Sequence, residues 1–149
     1  MNWGANWAFG LPLIVLTVLI HVFGLGLIRH RIVGPFSSPI FRRYPTTVFM
    51  VVMGATTLLV TSLHALEAGI WAIAYRVLGA LPDSKSAMLY SLNAMTSYGH
   101  TNLSLGDHWH LMGALEALNG WLLFGLSTAF LFATMEKVWS SFDTKRQLM

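Results

Sequence analysis

Cysteine is absent from the chain, which excludes disulfides and thiolate-bound metals. Charge is scarce as well. Asp, Glu, Lys and Arg make up 10% of the 149 residues, against 55% hydrophobic residues and a mean hydropathy of +0.60. An ordinary soluble domain carries about a quarter charged residues, so this composition points instead to a chain embedded in lipid. No Pro/Gly/Ser-rich linker and no charged run separates two halves, and a single domain is expected. The sequence also holds no Arg-rich voltage-sensing helix, no nucleotide fold and no calcium-binding domain. The formal charge of +3 comes from nine Lys/Arg against six Asp/Glu, and the basic residues sit at the ends of apolar segments. That placement reports topology and contact with lipid headgroups, with no nucleic-acid partner.

What the chain does have is long apolar segments. Residues 11–28 are broken only by Thr17 and His21. Residues 46–75 are interrupted by a few hydroxyls, His64 and Glu67, and residues 109–138 by His110, Glu116, Asn119 and Glu136. A bilayer core of ~30 Å needs roughly 20 helical residues, so each of the three can cross. Arg29, Arg31, Arg42 and Arg43 follow the first segment, and Lys137, Lys145 and Arg146 follow the third. The positive-inside rule then places the N-terminus outside and the C-terminus in the cytoplasm, as expected for a bacterial inner-membrane protein. The first segment does not read as a cleavable signal peptide, because its positive charge follows the apolar run.

Between the second and third segments lies a shorter one. Residues 86–95 are apolar but span only about half of what a crossing needs. Pro82, Asp83 and Ser84 precede them and form a helix start, with Asp83 or Ser84 as the cap. The stretch N-A-M-T-S-Y-G-H-T-N, residues 93–102, follows and is polar. Non-helical backbone survives at membrane depth only where protein or a water path satisfies it. A helix that descends from outside and a polar segment that climbs back are therefore expected, with the helix's negative C-terminal end favouring a cation. One copy cannot enclose a water path, so several copies are required.

These residues resemble the potassium-channel-like pore family, in its small two-helix bacterial form with one helix added in front. The resemblance covers about residues 46–138. A gapless register lays Thr96-Ser97-Tyr98-Gly99-His100-Thr101-Asn102 on the family's T-T-V-G-Y-G-D filter, and Tyr90-Ser91 on the pore-helix aromatic-Ser pair. A second register pairs Tyr98-Gly99 with the family's Tyr-Gly but needs a two-residue deletion, so the gapless one is preferred. The resemblance implies a homotetramer that passes potassium or another monovalent cation, with no other cofactor and no enzymatic activity. The chain departs from the family at His100, Thr101 and Asn102, which stand for Tyr, Gly and Asp. Fewer backbone ion sites, formed by residues 96–99, and a different outer mouth are expected.

The remaining polar residues extend this expectation. Glu67 and Glu116 are costly inside a crossing and are read as supports behind the filter. Asn119 is either a polar lining of the cavity below the filter or an interhelical hydrogen bond. Gly120 and Gly125 fall near the family's hinge and small-residue positions. His100, His108 and His110 cluster at the outer mouth, where protons or divalent metals could act on them. A membrane-embedded metal enzyme built on His64, Glu67, Glu116 and a further histidine is the alternative from another class, since imidazole and carboxylate suit zinc or iron. A haem held by His21 and His64 is a weaker form of it. A non-conducting accessory subunit is the third. The chain then divides into a first helix and basic loop over 1–45, a pore domain over 46–139 and a short cytoplasmic tail over 140–149. The first helix is an outer scaffold or a lipid-facing anchor.

Overall fold

Lipid offers no partner to a backbone amide or carbonyl, so a spanning segment must bond within itself. The computed structural model, which describes residues 3–33, 44–99 and 103–146, meets that demand with helices. Helix α1 spans Trp3–Ile28 and continues into a π-helical turn, Arg29–Val33. Helix α2 spans Pro45–Val77, α3 spans Ser84–Met95 and α4 spans His110–Arg146. Three of them, α1, α2 and α4, are long and apolar enough to cross a membrane. Among the described residues the architecture is all-helical, as the sequence leads one to expect. Helix α4 runs past residue 138, where the third apolar segment ends, because no glycine or proline after Gly125 interrupts it.

Helix α3 is the short one. Its twelve residues rise about 18 Å, well under a bilayer core. Asp83 is the cap, and its carboxylate accepts the Ser86 backbone N–H at 2.9 Å. Hydrogen bonding to Ser86, from its side chain first and its amide second, holds the Asp83 carboxyl below the ordinary carboxylate range. The cap is therefore in place at neutral pH and is lost as pH falls through that lowered value. At the other end the Tyr98 and Ser97 amides bond to the Asn93 and Ala94 carbonyls, each at 3.0 Å. That is a Schellman closure, with Ser97 at φ +54° where glycine is the usual occupant.

The hairpin that carries α3 starts and returns at one end of the bundle. Arg76 of α2 donates to the Leu81 carbonyl at 2.8 Å, which fixes the turn into α3. After α3 the chain comes back so that the Gly106 amide meets the Ala80 carbonyl at 3.3 Å, beside buried Leu105. The main apolar cluster fills the space between α2, α3 and α4, around Trp71, Tyr75, Tyr90, Met95, Met112 and Leu123. A smaller cluster, Leu25, Ile28 and Val60, joins the far half of α1 to α2.

Helices α3 and α4 approach closely at one glycine. A Cβ at Gly120 would overlap the Met95 backbone carbonyl, so only glycine lets the end of α3 rest on α4. Gly120 lies ten residues into α4, about 15 Å along it, so α3 ends roughly midway through a bilayer-sized bundle. A Cβ at Gly125 meets nothing within 4 Å. Gly120→Ala is accordingly expected to lower stability by about 1–3 kcal/mol through overpacking against backbone. Gly125→Ala should leave the fold unchanged or slightly more stable. Thermal unfolding of both variants in detergent checks the contrast, and equal behaviour would contradict the contact.

Candidate functional site

Polar side chains inside an apolar bundle must find one another, and two buried groups and one exposed segment hold most of the sequence candidates. The first lies behind α3. Glu116 of α4 is fully buried and accepts the Tyr75 hydroxyl of α2 at 2.6 Å. Its other oxygen contacts the Ser91 hydroxyl of α3, which also lies 2.7 Å from the Ala68 carbonyl of α2. Ser91 carries one hydroxyl proton, so it donates to one of these two acceptors at a time. Tyr90 packs edge-on against Tyr75, 5.3 Å between ring centroids. One carboxylate thus ties the three helices of the hairpin together.

The second group lies about 16 Å further along α4, at Ser127, eleven residues beyond Glu116. Glu67 of α2 pairs with His21 of α1, Oε1 to Nδ1 at 2.9 Å, and both side chains are fully buried. Ser127 of α4 bridges the two imidazoles, 3.0 Å from His21 Nε2 and 2.9 Å from His64 Nε2. His64 Nδ1 faces Glu67 Oε2 at 3.5 Å, and neither of these buried atoms has a hydrogen-bond partner. Phe124 stacks on the His64 ring at 4.4 Å and covers it.

The third group is the polar segment itself. Thr96, Ser97, Tyr98 and Gly99 are exposed, with Tyr98 at 84% of its full exposure. The Thr96 hydroxyl turns back to the Leu92 carbonyl at 2.7 Å, and the Ser97 hydroxyl accepts Trp121 Nε1–H of α4 at 2.9 Å. Gly99 has φ +92°, a backbone that a side chain would strain. His100, Thr101 and Asn102 lie outside the described residues.

The other sequence candidates fall as follows. Glu116 touches α3 directly, whereas Glu67 turns away from it towards α1. Asn119 is fully buried and its Nδ2 donates to Thr17 Oγ1 of α1 at 2.8 Å, an interhelical hydrogen bond. Gly120 meets Met95, and Gly125 is exposed. His110 contacts the Leu105 carbonyl at 2.7 Å, and the His108 carbonyl accepts Asn6 Nδ2–H at 2.6 Å, both at the start of α4. The cluster of His64, Glu67 and Glu116 expected of a metal enzyme is not assembled. His21 takes the place of Glu116, and the ligand atoms of His21, His64 and Glu67 lie within 4.8 Å of one another.

Sequence reasoning missed Asn6, Thr17, Tyr75 and Ser127 as functional partners. Thr17 and His21 were visible as the only polar residues of the first apolar run. Their spacing of four residues places them on one helix face. No family model, no curated protein and no solved structure matches the chain. Replacing Glu116 by Ala leaves the Tyr75 hydroxyl unsatisfied in an apolar interior and should cost about 1–3 kcal/mol. Tyr75→Phe alone should cost about 1 kcal/mol. A double-mutant cycle in detergent measures their coupling, and strict additivity would contradict the shared hydrogen bond.

Proposed function

We propose that the chain is a pore-forming subunit of a cation channel of potassium-channel-like design. The observation that carries this is the hairpin at α3. A half-length helix is pinned from behind by Glu116, ends midway through the bundle and gives way to non-helical backbone at residues 96–99, and by Gly106 the chain is back beside Ala80 at the helix's starting end. Backbone of that kind at membrane depth needs a water path or further protein beside it. In this reading α3 is the pore helix and residues 96–102 line the path.

Four copies around an axis would supply the enclosure. Their contact surface is offered by α4, where Leu118, Trp121, Leu122 and Leu126 stand exposed around Gly125 on one helix face. Trp121 joins that face to the polar segment through Ser97. The carbonyl end of α3 favours a cation, and backbone oxygens of residues 96–99 would replace part of its hydration. Gly99 supplies a φ that turns its peptide plane at low cost. The permeant ion in this reading is potassium or another monovalent cation. His100, Thr101 and Asn102 build the outer mouth, with His108 and His110 beside it. The N-terminus faces outward and the C-terminus the cytoplasm of a bacterial inner membrane, with Arg29 and Arg31 near anionic headgroups.

Flux into vesicles holding the purified protein tests the reading, with potassium, sodium and protons assayed separately. Potassium flux above empty vesicles and a reversal potential that follows the potassium gradient are expected. Gly99→Ala places a Cβ in a backbone region costing about 1–2 kcal/mol and should lower potassium conductance by about an order of magnitude. No flux of any cation would make the chain a non-conducting accessory subunit. A copy number other than four would sink the tetrameric pore.

A further inference from the structure

We propose that His21, His64 and Glu67 form a buried binding site for one divalent transition-metal ion of zinc-like preference, held between α1, α2 and α4 and separate from the pore segment. Four polar groups close a ring here: Glu67 to His21, His21 to Ser127, Ser127 to His64, and His64 back to Glu67. Each of the four bridges needs one cation, a proton in the simplest case. Two neutral imidazoles and one hydroxyl carry three protons, and an ionised carboxylate carries none. Three bridges measure 2.9, 3.0 and 2.9 Å, and the fourth stands open at 3.5 Å with both its atoms buried and unpartnered. The ring is short of one positive centre.

A metal ion fits that gap better than an ordinary hydrogen bond does. Zinc binds imidazole nitrogen and carboxylate oxygen at about 2.0–2.2 Å, so neighbouring ligands in a tetrahedron stand roughly 3.4 Å apart. The open edge has that length, His21 Nδ1 lies 2.9 Å from the same carboxylate, and each of the three residues offers a ligand atom within 4.8 Å of the others. Ser127 supplies the outer support. Its oxygen has two lone pairs and lies within hydrogen-bond reach of both Nε2 atoms. When both imidazoles carry their proton on Nε2, the Ser127 hydroxyl proton turns out of the ring towards the preceding turn of α4, as helical serines do, and both Nδ1 lone pairs face the Glu67 carboxylate. Outer hydrogen bonds of this kind fix the tautomer of a metal-ligating histidine. The Glu67 carboxylate offsets part of the charge, Phe124 shields the His64 ring, and the fourth position of the tetrahedron is left for water.

The test is a cobalt titration of chelator-stripped protein in detergent, read by visible absorption and by metal analysis, with zinc as competitor. It does not depend on whether the chain conducts. Saturation at one cobalt per chain, displaced by zinc, is expected. Glu67→Gln keeps the size and the hydrogen bond from His21 but removes the anionic ligand, and should weaken binding at least about tenfold. Ser127→Ala leaves all three ligands and should weaken binding about 10–100-fold. His30→Ala, at an exposed histidine outside the ring, should change nothing. Absence of saturable uptake, or uptake unaltered by Glu67→Gln, overturns the proposal. A thermal midpoint that shifts with pH in wild type but not in Glu67→Gln, with no metal taken up, overturns it too and assigns the ring to a proton.

Discussion

The Glu116 carboxylate is the tie on which the arrangement depends. It reaches from α4 to α2 through Tyr75 and to α3 through Ser91, all three in a region where water cannot substitute for a lost partner. Without it α3 would keep only the Ser91 hydroxyl on the Ala68 carbonyl beside its apolar contacts, and apolar contacts such as those of Ala87, Ala94 and Met95 carry no direction. Hydrogen bonds supply it. Gly120 then sets how far α3 can descend, since the Met95 carbonyl rests where a side chain would otherwise stand. The height at which the polar segment begins is thus fixed by one carboxylate and one missing Cβ on the same helix.

Helix α1 is not a passive addition to this hairpin. Its buried face carries Asn6, Thr17 and His21, and each meets α4 or the turn leading into it. Asn6 bonds the His108 carbonyl and the Met112 amide, Thr17 accepts from Asn119, and His21 reaches Ser127 and Glu67. Lipid tails are as apolar as leucine, so apolar surface alone gives α1 little preference for protein over lipid. Three polar rungs supply the preference and set the register. The opposite face, with Leu19, Val22 and Phe23 exposed, suits lipid. Of the two sequence expectations for α1, scaffold or anchor, the buried face accords with the first.

Much of the fold is legible in the sequence because a bilayer allows few solutions. Length and apolarity mark the three spanning helices, and the Pro82-Asp83-Ser84 start with a ten-residue apolar run marks α3 to within two residues. Glu116 could be singled out because an ionisable group at that depth is expensive. The family register places Ser91 on the short helix, but Tyr75 could not be found as a partner, because it looks like an interfacial aromatic until α2 and α4 are packed. The pairing of Glu67 with α1 was equally hidden. His64 shares its helix and invites a local reading, whereas His21 is 46 residues away and only the packing of α1 brings it near. Asn6 was obscured by its neighbours, since Trp3 and Trp7 give that stretch the look of an interface belt.

Helix α4 joins these separate features mechanically. One of its faces carries Glu116, Gly120, Leu123 and Ser127 into the bundle, and the other presents Leu118, Trp121, Leu122 and Gly125 outward. Rotation of α4 would withdraw Glu116 from Ser91 and Ser127 from both histidines in the same movement. The ring of His21, His64, Glu67 and Ser127 and the Glu116 tie to the hairpin therefore share one helix. A ligand that closed the ring's open edge would tie α1, α2 and α4 together seven residues along α4 from the glycine on which the end of α3 rests. Trp121 joins the same helix to the polar segment through Ser97, so a rotation of α4 would displace that side-chain bond as well.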